Sequence, residues 1–123
     1  MPKKILVVDD KANIVLSLEF LMNKAGYDVR TASNGEEALA AIETDPPDLI
    51  LLDVNMPTKN GFEVCEAVRA RNEWSHIRII MLTAHGRDIE REKGLALGAD
   101  DYLTKPFAIL EVVSKVQELL EQS

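Results

Sequence analysis

A doubly wound α/β domain is the fold this sequence predicts, and three observations predict it. Five short apolar runs recur along the chain: KILVV at 4–8, YDVRTA at 27–32, DLILL at 48–52, IRIIML at 77–82 and DYLT at 101–104. Continuous apolar character without alternation marks strands covered on both faces, as in parallel sheets. Between the runs lie longer stretches of helical period, so strand and helix alternate strictly as five βα units, joined by right-handed crossovers. The 123 residues match the commonest domain size, so residues 1–123 are expected to form one domain with one core.

The elements follow in order. KILVV ends where Asp9-Asp10 begins, and a first helix carries Ile14, Leu18, Leu21 and Met22 on one face. Gly26 follows where a C-terminal glycine would end that helix. After the YDVRTA strand, a second helix begins beyond Asn34-Gly35 and buries Ala38, Leu39 and Ile42. It must finish before Pro46-Pro47, because proline lacks the amide and crowds the preceding turn. DLILL leads into Asp53, and a third helix is expected over 62–71 with Phe62, Cys65 and Val68 inward.

IRIIML leads to Thr83. The fourth helix, 88–97, has the faintest pattern, with few large apolar residues and an internal Gly94 that costs about 1 kcal/mol relative to alanine. DYLT precedes Lys105-Pro106, and a fifth helix over 108–121 presents Ile109, Val112, Val113, Val116 and Leu120 as its apolar stripe. The sequence has no internal repeat, linker or low-complexity tract.

Composition narrows the function. With 46% apolar and 28% charged residues, the chain has the balance of an ordinary soluble protein. Its 21 acidic against 14 basic residues give a net charge of -7, which repels phosphate backbones and argues against direct nucleic-acid binding. Cys65 stands alone, so neither an internal disulfide nor a sulfur-ligated zinc site can form, and a reducing compartment fits. MPKKILVVDD superficially resembles a signal peptide, but its four-residue apolar run is far too short. No segment approaches the ~20 apolar residues that span a bilayer, so no membrane association and a cytoplasmic location are expected.

In a parallel sheet all carboxyl ends share one edge, where ligands bind. This chain places Asp9-Asp10, Asp53, Thr83 and Lys105 there. Singly, each has an ordinary use: an aspartate at 9 or 10 can cap the first helix, Thr83 the fourth, and Asp53 and Lys105 can be solvated. Together they cannot be ignored. Two carboxylates ~4 Å apart repel by about 4 kcal/mol at an effective dielectric near 20. Three in one cleft need a cation, or one must hold a proton. Oxygen-only ligands in an open site select a hard ion, magnesium before calcium.

VVDD at 7–10, LLDVNMP at 51–57, MLTA at 81–84 and GADDYLTKPF at 98–107 stand in order and in register with the βα pattern. Together they make the whole chain resemble the receiver domain of two-component response regulators. The resemblance implies a flavodoxin-like (βα)5 sandwich with strand order 2-1-3-4-5. It implies that Asp53 is the phosphoacceptor, taking a phosphoryl group from a phosphohistidine on a sensor histidine kinase or a histidine phosphotransfer protein. Asp10, Asp53 and the main-chain carbonyl of Asn55 would bind Mg2+ (or Mn2+), with Asp9 assisting through water. Thr83 and Lys105 would contact the phosphoryl oxygens, the Lys105-Pro106 bond would be cis, and Tyr102 would be the aromatic switch that moves as Thr83 is drawn to the modified Asp53. The output face would be the fourth helix, fifth strand and fifth helix, read by a downstream effector protein or domain.

Physical chemistry supports these assignments. Phosphoryl transfer asks mainly for an aimed nucleophile and neutralised charge, and an ionised aspartate needs no separate base. Lys11 stands where the family often has a third acid, a departure that weakens metal binding slightly. Asn60 replaces a common aspartate but still suits a helix cap, and Asn55 and His85 occupy positions that tune the phosphoryl lifetime. His76, Cys65 and Met22 read as ordinary loop or core residues. A phosphatase of the haloacid dehalogenase type wants an acid where Asn55 stands. A dinucleotide site wants GxGxxG where DDKANI stands, and an unphosphorylated pseudo-receiver would not need the intact Asp10, Asp53, Thr83 and Lys105 set. The domain is expected to be a signalling switch rather than an enzyme, catalysing only its own phosphorylation and dephosphorylation.

Overall fold

Five strands, β1 (Lys4–Val8), β2 (Asp28–Ala32), β3 (Leu49–Asp53), β4 (Arg78–Ala84) and β5 (Asp101–Lys105), pair in parallel in the order β2-β1-β3-β4-β5 in the computed structural model, which describes residues 2–84 and 87–121. Helices α1 (Ala12–Lys24), α2 (Gly35–Thr44), α3 (Gly61–Arg69), α4 (Asp88–Ala96) and α5 (Ile109–Glu121) connect and follow them. This is the doubly wound, flavodoxin-like α/β fold that the sequence predicts. Among the described residues no helix is long and apolar enough to cross a membrane.

Alternation along each strand splits the core into two layers. Leu6, Val8, Ile50, Leu52, Ile79 and Met81 pack with Ile42, Val64, Cys65 and Val68 from α2 and α3. Their neighbours Ile5, Val7, Leu49, Leu51, Ile80, Leu82 and Leu103 pack with Leu18 and Met22 of α1 and Val112 and Val116 of α5. Every residue of β3 is buried, which confirms a central strand covered on both faces.

Local chemistry explains the boundaries. Asn34 accepts from the Glu37 amide to start α2, and Asn60 and Glu63 form a reciprocal capping box at α3, so asparagine does serve as the cap there. Neither Asp9 nor Asp10 caps α1, whose N-cap is Lys11 without a side-chain cap bond. Gly26 takes φ of +97°, the left-handed turn expected after α1.

Two readings need correction. The third helix stops at Arg69 rather than 71, and a 3-10 turn, Asn72–Trp74, follows it, with Trp74 buried at the amino-end side of β4. Ile109 is not part of the inward stripe but 65% exposed, because it opens α5 beyond the last residue of β5; Leu119 is buried instead. The Gly94 that weakens α4 as a helix also lets it lie close to the sheet, since a Cβ there would sit 3.0 Å from Met81 Cγ.

Candidate functional site

Register brings the polar strand ends together. Val8 lies opposite Leu52 and Asp53 opposite Leu82, so Asp9 and Asp53 leave β1 and β3 at one level, and Thr83 follows on β4. Ala84 pairs with Lys105 of β5. Asp9, Asp53 and Lys105 continue the rows of Val7, Leu51 and Leu103, which belong to one core layer, so all three rise on the same side of the sheet.

Their contacts are close. Lys105 Nζ donates to Asp9 Oδ2 at 2.8 Å and to Asp53 Oδ1 at 3.0 Å, and Asp9 and Asp53 are both buried. One carboxylate oxygen from each of Asp9, Asp10 and Asp53 lies within 4.8 Å of the others. Asp9 also accepts from the Lys11 amide at 2.9 Å through Oδ1, and exposed Asp10 lies 3.4 Å from the Lys11 ammonium. Asp53 Oδ2 is buried, with no hydrogen-bond partner among the described residues.

The backbone under Asp53 is equally constrained. Val54 donates to the Leu82 carbonyl, and Gly61 donates to the Val54 carbonyl at 2.9 Å. A Cβ on Gly61 would lie 2.3 Å from the Asp53 carbonyl oxygen, so only glycine lets α3 begin this close to the strand tip. Thr58, in the intervening loop, adopts φ of 65°, a left-handed conformation uncommon for a β-branched residue.

The electrostatics separate the three acids. Burial pushes the Asp53 carboxyl up from 3.8 to about 6; Lys105 pulls it back, and the charge of Asp9 adds to the rise. Burial works the same way on Asp10, but the neighbouring Lys11 ammonium holds Asp10 below the ordinary carboxylate range. For Lys105 burial opposes the charge, yet its bonds to Asp9 and Asp53 keep the ammonium above its usual value. Near neutrality Asp53 thus sits close to its titration point beside an ionised Asp10.

An all-oxygen set with an orphaned, inward carboxylate oxygen suits a hard divalent cation. Asp9, Asp10 and Asp53 could hold one. Other anticipated residues are placed less centrally. The Thr83 hydroxyl is buried and donates to the Leu103 carbonyl at 3.5 Å rather than to Asp53. Tyr102 is half-buried, its hydroxyl accepting from Arg91 Nη1 at 3.1 Å and its ring 4.9 Å below the same guanidinium, which links α4 to β5. The Lys105-Pro106 bond is cis. His85 lies outside the described residues.

One residue escaped the sequence reading. Glu90 of α4 is buried, and its Oε2 accepts from Asn55 Nδ2 at 3.4 Å and from Arg87 Nη2 at 3.1 Å. A signal existed: Glu90 and Gly94 are four residues apart, and the glycine marks the face that meets the sheet.

Comparison with known proteins agrees with this geometry. The family model described as response regulator receiver domain matches residues 5–117. Over 123 residues the chain is 50% identical to the alkaline phosphatase synthesis transcriptional regulatory protein PhoP of Bacillus subtilis (strain 168), covering all of this chain but 50% of that protein. The chain thus spans about half the length of that curated relative. A putative response regulator from Chloroflexus aurantiacus J-10-fl superimposes with a TM-score of 0.95 at 39% identity, covering 98% of this chain and 99% of that one. The Vibrio cholerae chemotaxis protein CheY4 gives a TM-score of 0.90 at 36% identity, covering 97% and 99%.

Proposed function

Because the chain belongs to the response regulator receiver domain family, we propose that residues 1–123 form one phosphoacceptor domain, a switch in which Asp53 carries the signal. The observation that carries this reading is the asymmetry of the Asp53 carboxylate. Lys105 holds Oδ1 at 3.0 Å, while among the described residues the buried Oδ2 has no hydrogen-bond partner. In the transfer, an Asp53 oxygen bonds to phosphorus as the phosphorus–nitrogen bond to a donor imidazole breaks, and the leaving imidazole takes up a proton. The donor is a sensor histidine kinase or a histidine phosphotransfer protein.

Asp10, Asp53 and the Asn55 carbonyl would hold Mg2+ or Mn2+, with Asp9 assisting through water. Bound there, the ion would supply positive charge opposite the phosphoryl oxygens. Lys105 neutralises a further oxygen, and the rigid, fully buried β3 fixes the nucleophile's direction. Thr83 reorients from the Leu103 carbonyl toward the new group, and Tyr102 responds by changing its contact with Arg91, which alters the α4–β5–α5 face. A downstream effector, protein or domain, reads that face. The domain works in the cytoplasm, touches no nucleic acid or membrane itself, and catalyses only its own phosphorylation and dephosphorylation.

The test is incubation with acetyl phosphate and magnesium, followed by mass spectrometry. The unaltered protein should gain one phosphoryl group, and Asp53→Asn or chelator-treated protein none. Labelling that persists in Asp53→Asn would move the acceptor elsewhere. Turnover of a phosphate ester would instead favour a haloacid-dehalogenase-type phosphatase, although Asn55 offers no acid for that reaction.

A further inference from the structure

The phosphoacceptor chemistry leaves one buried acid unused. Glu90 is 6% exposed, while its neighbour Ile89 is 77% exposed, so the first turn of α4 turns a carboxylate inward and an aliphatic side chain outward. A buried carboxylate is strongly unfavourable unless well partnered. Glu90 is only half partnered among the described residues: Oε2 receives Arg87 at 3.1 Å and Asn55 at 3.4 Å, and the buried Oε1 has no partner there. An aliphatic residue would fill this place at less cost, so packing alone does not account for the acid. Its bond to Asn55 spans 35 positions of sequence and reaches the loop two residues beyond Asp53.

We infer that Glu90 is a positioning residue that anchors the Asn55 side chain beside Asp53 and thereby sets how long a phosphoryl group survives there. The inference rests on the reading of Asp53 as the phosphoacceptor. Loss of the group requires a water oxygen to bond to phosphorus in line as the phosphorus–oxygen bond to Asp53 breaks, with the water's proton passing to the released phosphate. A side chain two residues from the nucleophile borders that approach. Asn55 is exposed and would sample many orientations if untethered, whereas Glu90 confines its amide. The tether acts both ways: any shift of Asn55 on phosphorylation is felt by the first turn of α4, and any partner that moves α4 alters the lifetime.

The experiment compares the unaltered protein with Glu90→Met, Glu90→Ala, Asn55→Ala and the Asn55→Ala/Glu90→Ala double variant. Glu90→Met keeps the side-chain length without the acceptor oxygen, so it remains informative if the alanine variant fails to fold. After labelling with acetyl phosphate and magnesium and removal of the donor, each single substitution should change the rate of phosphoryl loss by about threefold to tenfold, in the same direction, as expected for one lost hydrogen bond. The double variant should do no more than Asn55→Ala alone. Effects that multiply, or a rate within about twofold of the unaltered protein in Glu90→Met and Glu90→Ala, would overturn the assignment.

A second readout uses unphosphorylated, metal-free protein. Asn55→Ala should speed hydrogen exchange severalfold at the amides of Glu90 and Arg91 and leave the amides of Val112 and Val116 unchanged. Unchanged exchange at α4 would sever the proposed link. Should acetyl phosphate fail to label Asp53 at all, the phosphoacceptor reading fails, while the exchange arm still decides whether Asn55 and Glu90 are tied.

Discussion

Lys105 Nζ lies 3.0 Å from Asp53 Oδ1 and leaves Oδ2 of the same carboxylate buried without a partner. One lysine therefore offsets the charge of the Asp53 carboxylate through a single oxygen. The metal-free site is held at a cost, because the same ammonium must also serve Asp9 at 2.8 Å.

That cost has a pH signature. The folded protein holds the Asp53 proton more tightly than an unfolded chain would, with the carboxyl raised from 3.8 to about 6. Stability from the protonated form is fully present below about pH 4 and is lost as pH rises through about 6. In chelator, Asp53→Asn should therefore be more stable than the unaltered protein by on the order of 2 kcal/mol at about pH 8, with little difference near pH 4. Urea denaturation across that range measures it; a constant or reversed difference would contradict the assigned titration.

Metal and proton should compete for the same carboxylate. Magnesium should raise the melting temperature at about pH 8, and its apparent affinity should weaken as pH falls below about 6. Asp10→Asn, which removes a proposed ligand whose carboxyl stays below the ordinary range, should lose most of the magnesium response at every pH. Thermal shift with titrated magnesium gives both results.

Removing the lysine separates stability from chemistry. In metal-free Lys105→Ala, Asp9 and Asp53 face each other uncompensated, so a loss of about 3 kcal/mol is expected at about pH 8 and a smaller one at pH 5, where Asp53 takes up a proton. Magnesium should restore most of the stability, yet labelling by acetyl phosphate should remain about a hundredfold slow, because the charge on the phosphoryl oxygen stays unmatched.

Two glycines should respond differently to alanine. At Gly61 the new Cβ would sit 2.3 Å from the Asp53 carbonyl oxygen, rigid backbone at the strand tip, so Gly61→Ala should cost about 3 kcal/mol or more and impair labelling. At Gly94 the nearest atom is Met81 Cγ at 3.0 Å, a flexible side chain, and alanine's helix preference of about 1 kcal/mol offsets part of the crowding. Gly94→Ala should change the melting temperature little. Comparable losses at both positions would contradict this.

The strands were legible because continuous apolar runs leave little choice but a covered parallel sheet, and the register of those runs carries Asp9 and Asp53 to one level, with Lys105 two residues further along β5 on the same face. The α4 face was not legible, because hydropathy points to Ile89 as the inward residue and the helix instead buries Glu90 and Gly94. Ile109 misled for a related reason: period places it with Val112 and Val116, but as the first residue of α5 it is mostly exposed. The partners chosen by Thr83 and Tyr102, Leu103 and Arg91, are tertiary facts that no spacing in the sequence encodes.

Trp74 is the chain's single tryptophan. It sits beneath the Arg71 guanidinium, 3.9 Å from its carbon, near the amino end of β4, the strand whose other end carries Thr83. Its emission will therefore follow unfolding of the whole domain and stay blind to events at Asp53. Ligand titrations followed by intrinsic fluorescence would read silence even when binding is complete, and a reporter for the signalling state has to be introduced elsewhere.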